Sequence, residues 1–232
     1  MSRNGKLQDK VAVITGGNSG IGLAMAELFH CEGAKLAIFG RDAATLASAA
    51  QRIGPGTITV QGDVRKLDDL NQLFDTVGAR LGVIDVLVAN AGIAKFAPLN
   101  DYPEALFDEV CGVNFKGAFF TVVRALPHLR DGASIIVVGA SDADKQGRPF
   151  TGLYAATKSA VRALARGFSA DLMPRRIRVN VLSPGMTDTP ISALGRIAGR
   201  DIRRNRRRDN PADPAEAPRD AGGNGADRAV LG

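Results

Sequence analysis

Tyr154 and Lys158 stand four residues apart in the run LYAATKSAVRALARGFSADLM, and on a helix that spacing puts them on one face, a turn from each other. An ammonium beside a phenol favours the phenolate and pulls the tyrosine below its ordinary value of about 10. Such a pair can give and take a proton near neutral pH. Ser141 follows the apolar run Ile135–Val138, at the strand edge where open parallel sheets bind ligands, and can bring a hydroxyl to the same centre. Taken alone, Tyr154 and Lys158 read equally well as an ordinary helix-surface pair. The elements around them decide between the two.

A helix and a strand have to hold these groups. Val161, Leu164, Ala165, Phe168 and Leu172 keep the spacing of a buried helical stripe, Arg162 and Arg166 lie off it, and Pro174 closes the run. Ile135–Val138 is continuously apolar and β-branched, as expected of a strand covered on both faces. Earlier in the chain another apolar strand, Val11–Ile14, runs into Thr15-Gly16-Gly17-Asn18-Ser19-Gly20-Ile21-Gly22, and Leu23–Phe29 reads as a helix. Glycines at such a turn let the backbone approach a diphosphate, whose charge the free N–H groups of the helix start can hold. No Gly-Lys-Ser/Thr follows, so this is not a Walker loop, and the Gly-x-Gly-x-x-Gly spacing is absent too. Strand, loop and helix in succession mark a nucleotide site.

Lys35–Phe39 is a further strand, ending in Gly40-Arg41-Asp42. A carboxylate at this strand end binds ribose hydroxyls, whereas an arginine accommodates a 2′-phosphate. Arg41 therefore points to NADP(H) ahead of NAD(H). The plainer alternative is that Arg41 and Asp42 merely open the next helix in solvent. Thr57–Val60 leads to Gly62-Asp63-Val64, Leu67–Leu81 reads as a helix, and Val86–Ala89 runs into Asn90-Ala91-Gly92. An amphipathic stretch from Tyr102 to about Leu129 carries Asn114, and Arg178–Leu182 makes a sixth strand before Ser183-Pro184-Gly185. This alternation predicts an α/β protein with a doubly wound parallel sheet.

With 232 residues, 45% of them hydrophobic, the chain suits one such domain with a sizeable core. Cys31 and Cys111 lack metal-ligand spacing and read as reduced thiols, and His30 and His128 have no ligand partners at suitable spacing. The expectation is a cytoplasmic protein with no membrane partner, since no signal core or membrane-spanning run is present. The net charge of +6 owes much to arginines near the C-terminus.

From Leu7 to about Leu194 these motifs, in this order, resemble the short-chain dehydrogenase/reductase family of the single-domain type. Thr15-Gly16 and Gly20-Ile21-Gly22, with Asn18 and Ser19 between them, are similar to its cofactor loop. Asp63, followed by Val64, stands at its adenine-binding position, and Asn90-Ala91-Gly92 at its Asn-Ala-Gly turn, with Ala89 where a first Asn is common. Asn114 matches its catalytic asparagine, Ser141 lies thirteen residues before Tyr154, and Tyr154-x-x-x-Lys158 is its signature. Pro184-Gly185-Met186-Thr187-Asp188-Thr189 resembles the segment in which Pro184, Gly185, Thr187 and Thr189 would hold the nicotinamide.

The resemblance implies a Rossmann-like sheet of order 3-2-1-4-5-6 and hydride transfer between nicotinamide and a small carbonyl or secondary-alcohol substrate. It implies Tyr154 as general acid and base and Ser141 as hydrogen-bond donor to the substrate oxygen. Asn114 would hold a water joining Lys158 to solvent, and Lys158 would also bind the nicotinamide ribose. A homodimer built on the helices around Asn114 and Tyr154 belongs to the same expectation.

The resemblance stops after about Gly195. A domain over 1–195 is thus followed, over 196–232, by a stretch without aromatic residues and rich in Arg, Asp, Pro, Ala and Gly, expected to be a disordered basic tail. It reads either as an altered reading frame or as a basic arm whose Arg203–Arg208 meets nucleic acid or an acidic partner. The family's usual seventh strand would be missing, leaving the sixth as an exposed edge, and a tetramer that needs that end is not expected. The leading functional expectation is an NADP(H)-dependent oxidoreductase. The alternative is a cofactor-binding protein without efficient turnover. Nucleic-acid binding through the tail is the weakest reading, because no folded basic module or aromatic stacking motif accompanies it.

Overall fold

The apolar runs become six parallel strands in a computed structural model of the chain, which describes residues 5–141, 149–185 and 187. In chain order the strands are β1 (Val11–Thr15), β2 (Lys35–Gly40), β3 (Ile58–Gln61), β4 (Ile84–Ala89), β5 (Leu129–Val138) and β6 (Arg178–Leu182). The helices between them are α1 (Gly20–Cys31), α2 (Ala43–Ile53), α3 (Leu67–Arg80), α4 (Glu104–Cys111), α5 (Ala118–Ala125) and α6 (Gly152–Asp171). The sheet order is β3-β2-β1-β4-β5-β6, as expected. The described residues fall in the first of two units of the chain, Met1–Arg196, and the predicted tail and Thr189 lie outside them.

Alternate side chains of a strand face opposite sides, so each strand feeds two cores. Val11 and Val13 join Phe39, Leu70, Phe74, Leu87 and Ile135 on the face covered by α3, α5 and α6. Ala12 and Ile14 join Leu36, Ile38 and Leu46 under α1 and α2. Phe39, Phe74, Leu70 and Leu87 are all at most 1% exposed, each contributing about 1.5–3 kcal/mol of transfer free energy. Central strands β1 and β4 are buried at every position, which is why Val11–Ile14 and Val86–Ala89 read as unbroken apolar runs.

The boundaries moved where local geometry overrides the apolar pattern. β5 begins at Leu129 rather than Ile135, because a register irregularity against β4 between Ile84 and Val86 admits its polar first half. The stretch from Tyr102 to Leu129 is not one helix. α4 and α5 are joined by a π-helical turn, Gly112–Gly117, in the middle of which sits Asn114. Strand β6 pairs with β5 on one side, and among the described residues it is the sheet's last strand. Its Arg178, Asn180 and Leu182 are exposed.

Candidate active site

The strand order reverses between β1 and β4, which opens a crevice at their C-terminal ends. Two side chains organise it. Thr15 Oγ1 accepts the backbone N–H groups of Asn90 (3.1 Å) and Ala91 (3.2 Å). Asn90 Nδ2 donates to the carbonyls of Thr15 (3.0 Å) and Gly16 (3.1 Å). Asn90 therefore acts here as the clamp of the glycine loop, with its amide nitrogen spent on protein. Gly16 has φ +66°, and a β-carbon on it would come within 2.9 Å of Asn90 Nδ2.

α1 begins at Gly20, so Ile21 and Gly22 form its first turn, and Ser19 at its N-cap makes no side-chain cap. Its first N–H groups are thus left for an anionic ligand. This uncapped end, behind a loop whose Gly16 and Gly17 leave no room for a β-carbon, fits the diphosphate of a dinucleotide. A β-carbon at Gly22 would run into the Gly16 carbonyl oxygen and Asn90 Nδ2. Gly22→Ala is expected to lower the unfolding free energy by about 1–3 kcal/mol, the usual cost of overpacking, as measured by denaturant titration.

Asp42 caps α2, accepting the Thr45 N–H at 2.7 Å, and this hydrogen bond holds its carboxyl below the usual range. Arg41 is exposed, its carbonyl taking a bond from Gln61 Nε2 (3.0 Å). Asn18 reaches across to Thr45 Oγ1 at 2.8 Å. Asp63, 8% exposed, is bound by Arg65: Nε lies 2.9 Å and Nη2 2.6 Å from its Oδ2. Burial pushes this carboxyl up, but the Arg65 hydrogen bonds and the charges of Arg65 and Arg41 bring it below its ordinary value. The side chain of Val64 is buried and packs on Gly117, which leaves only its backbone to face a ligand.

Tyr154 and Lys158 share one face of α6, as their spacing required. Lys158 is 4% exposed and donates to the Val138 carbonyl at the end of β5 (2.8 Å). Burial lowers its ammonium to about 8. The expected depression of Tyr154 is not what the structure gives: burial raises the phenol above its ordinary value. Burial acts on the phenol unopposed here, and the lysine ammonium is engaged by Val138.

Asn114 is 1% exposed, and its amide is fully engaged: Oδ1 accepts the Ile93 N–H (2.8 Å), and Nδ2 donates to the Ile93 carbonyl (2.9 Å) and to Thr157 Oγ1 (3.2 Å). It ties the segment after β4 to α6. A β-carbon on Gly92 would lie 3.2 Å from Lys158 Nζ and 3.4 Å from Asn114 Oδ1, so Gly92, Asn114 and Lys158 meet at one point. The N–H of Ser141 donates to the Pro184 carbonyl (3.0 Å), and its Oγ would be 3.9 Å from a β-carbon on Gly185. That joins the ends of β5 and β6 at the same edge. Thr187 is exposed, with Oγ1 bonded to the Gly185 carbonyl at 3.3 Å.

Three participants escaped the sequence reading. Phe96 sets its ring edge-on to Tyr154, centroids 5.9 Å apart. Thr157 bonds both Asn114 and the Tyr154 carbonyl, the latter at 2.8 Å. Arg65 holds Asp63. Only the last had a local signal, an arginine two residues after the carboxylate.

Residues 10–196 match the family model for short chain dehydrogenase. The oxidoreductase asL5 of Sarocladium schorii is 43% identical over 199 residues, which cover 84% of this chain and 80% of the relative. Among solved structures, a 3-ketoacyl-(acyl-carrier-protein) reductase from Brucella melitensis complexed with NADH superposes with a TM-score of 0.78 at 32% identity, over 82% of this chain and 80% of that one. A short chain dehydrogenase from Burkholderia cenocepacia in complex with NADP gives 0.75 at 33%, over 80% and 78%. With the glycine loop, the Asn90 clamp and the Tyr154–Lys158 face all at one sheet edge, the chain belongs to the short-chain dehydrogenase/reductase family of oxidoreductases.

Proposed function

We propose that the protein is an NADP(H)-dependent reductase of small carbonyl compounds, with Tyr154 as the proton donor. The observation that carries this reading is the buried Lys158, held on the Val138 carbonyl beside Gly92 and one helical turn from Tyr154. When bound, nicotinamide would supply the hydride that the carbonyl carbon takes up. Tyr154 gives its hydroxyl proton to the carbonyl oxygen, completing the alcohol. Burial keeps the phenol protonated at neutral pH, the state needed for reduction. Ser141 donates a hydrogen bond to the oxygen as charge develops there. Lys158, with its ammonium near 8, is poised to return a proton to the tyrosine and to bind the nicotinamide ribose. Since the Asn114 amide is committed to Ile93 and Thr157, a relaying water at Asn114 would have to be held by its backbone.

The preference for NADP(H) rests on Arg41, exposed after β2, and on Asp42, whose carboxylate is spent on the α2 cap. Thr15, Gly16, Ser19, Gly20, Ile21 and Gly22 would hold the diphosphate end, with Ala91 and Gly92 beneath it and Pro184, Gly185, Thr187 and Thr189 at the nicotinamide. Arg41→Ala is expected to weaken NADPH binding about ten- to a hundredfold, the range for a lost charge-assisted hydrogen bond, and NADH binding less than about threefold. Fluorescence titration with both dinucleotides tests this; equal losses would mean that Arg41 does not meet the 2′-phosphate.

The same reading takes the protein as a cytoplasmic homodimer. Phe107 on α4 is 50% exposed and Phe115 in the π-turn 40%, which supports pairing through this face. Both thiols, Cys31 and Cys111, are free, and no described helix is long and apolar enough to cross a membrane.

A further inference from the structure

We propose that the Lys95–Glu109 ion pair is a strap that holds Phe96 against Tyr154, which makes Glu109 a positioning residue for proton transfer. The inference rests on the reading of Tyr154 as proton donor and adds to it a group on a different helix.

After β4 the chain is fastened at three points within four residues. Asn114 in the π-turn takes both backbone groups of Ile93, at 2.8 Å and 2.9 Å. Lys95 Nζ reaches Glu109 Oε2 on α4 at 2.6 Å. Phe96 turns to α6, where its ring meets Tyr154 edge-on with centroids 5.9 Å apart. Lys95 and Phe96 thus leave neighbouring backbone positions for different helices, and anchoring the first sets where the second can lie. Beyond them the chain leans on itself: the Asp101 N–H bonds the Pro98 carbonyl at 3.0 Å within the turn Leu99–Asp101, and Leu99 is 94% exposed.

An edge-on ring contact is a weak tether by itself. The ion pair adds to it, since its side chains, 40% and 25% exposed, are partly shielded from water. What depends on the ring is the state of the phenol. Tyr154 is held above its ordinary value by burial, and Phe96 is part of what covers it. With the ring loose, water reaches the hydroxyl that must give its proton, and the orientation needed for that transfer is lost. Glu109 also favours the charge on Arg65. Lys95→Met breaks the strap and leaves that field alone, so agreement between variants at positions 95 and 109 assigns the effect to the strap.

The chain has two tyrosines and no tryptophan, so in a Tyr102→Phe background the tyrosine emission comes from Tyr154. The Tyr102 hydroxyl has no hydrogen-bond partner among the described residues, and its removal leaves no group unpaired. In that background, acrylamide quenching of the emission and steady-state oxidation of NADPH are measured for the full chain and for Lys95→Met, Lys95→Arg, Glu109→Gln, Phe96→Leu and the double variant Phe96→Leu/Glu109→Gln. Lys95→Met and Glu109→Gln are each expected to increase quenching and to lower kcat about three- to tenfold, with NADPH affinity held within about twofold. Lys95→Arg keeps the charge and should stay within about twofold of the parent in kcat. Glu109→Gln should cost less than about twofold further in the Phe96→Leu protein, because the strap acts through the ring. Unchanged quenching, a Lys95→Arg protein as impaired as Lys95→Met, or a full additional loss in the double variant overturns the strap. If the parent binds NADPH but does not turn over, the proton-donor reading fails, and the quenching still decides whether the strap holds the ring.

Discussion

Replacing Tyr154 by Phe is expected to cut turnover by about a hundred- to ten-thousandfold, the range for loss of a positioned general acid, and to leave NADPH affinity within about twofold. The substitution removes one oxygen and keeps the ring. The edge-on contact with Phe96, 5.9 Å between centroids, survives. So do the bonds that build the crevice, because Thr157 reaches the Tyr154 backbone carbonyl and not its phenol. The stability of α6 should hardly change. Steady-state oxidation of NADPH, set beside fluorescence titration of both proteins, separates the two quantities. Turnover retained within about tenfold of the wild type would mean that solvent or another group protonates the product, and Tyr154 would lose its assigned role.

Lys158 has the second large effect, and pH reveals it. Its ammonium falls from 10.5 to about 8 because burial penalises the charge. The folded state thus binds its proton less tightly than the unfolded chain does. The penalty is fully present below about 8 and disappears above 10.5, so stability should rise with pH across that window, by on the order of 3 kcal/mol. Lys158→Met removes the titrating group. Relative to this variant, the wild type should become more stable by that amount between neutral and strongly alkaline pH, as read from denaturant unfolding at a series of pH values. The variant should also lose turnover at every pH. Parallel pH profiles for the two proteins would contradict the burial of a titrating ammonium at this position. Around the ammonium stand the Val138 carbonyl, Gly92 and the Asn114 amide, none of which can supply a compensating charge.

What was legible in the sequence was local. Tyr154 and Lys158 could be paired because one helix fixes their spacing. The strands β1 and β4 could be found because they are buried on both faces. The glycine loop announced itself by its place between a strand and a helix.

What stayed hidden depends on contacts across the fold. The partners of the Asn114 amide, Ile93 and Thr157, are 21 and 43 residues away in sequence. The π-turn around Asn114 interrupts a continuous helical pattern with no residue that announces it. The direction of the Tyr154 shift is set by burial, which a spacing of four residues does not reveal. An arginine two residues after Asp63 hints at a pairing, but only the fold shows how Arg65 turns back onto its carboxylate. Asp85, buried within β4, takes the Val11 N–H at 2.9 Å and the side chains of Lys10 and Arg130 at 3.3 Å and 2.9 Å. A strand pattern gives no hint of that anchor, at the opposite end of the sheet from the site.

The most direct measurement is oxidation of NADPH by the purified full chain across a set of aldehydes and ketones, after saturation has been established by fluorescence titration. The account predicts saturable binding, tighter for NADPH than for NADH, and oxidation that depends on the added carbonyl and yields the corresponding alcohol. Saturable binding with no carbonyl-dependent oxidation anywhere in the set would contradict it, and would make the protein a dinucleotide-binding member of its family without turnover.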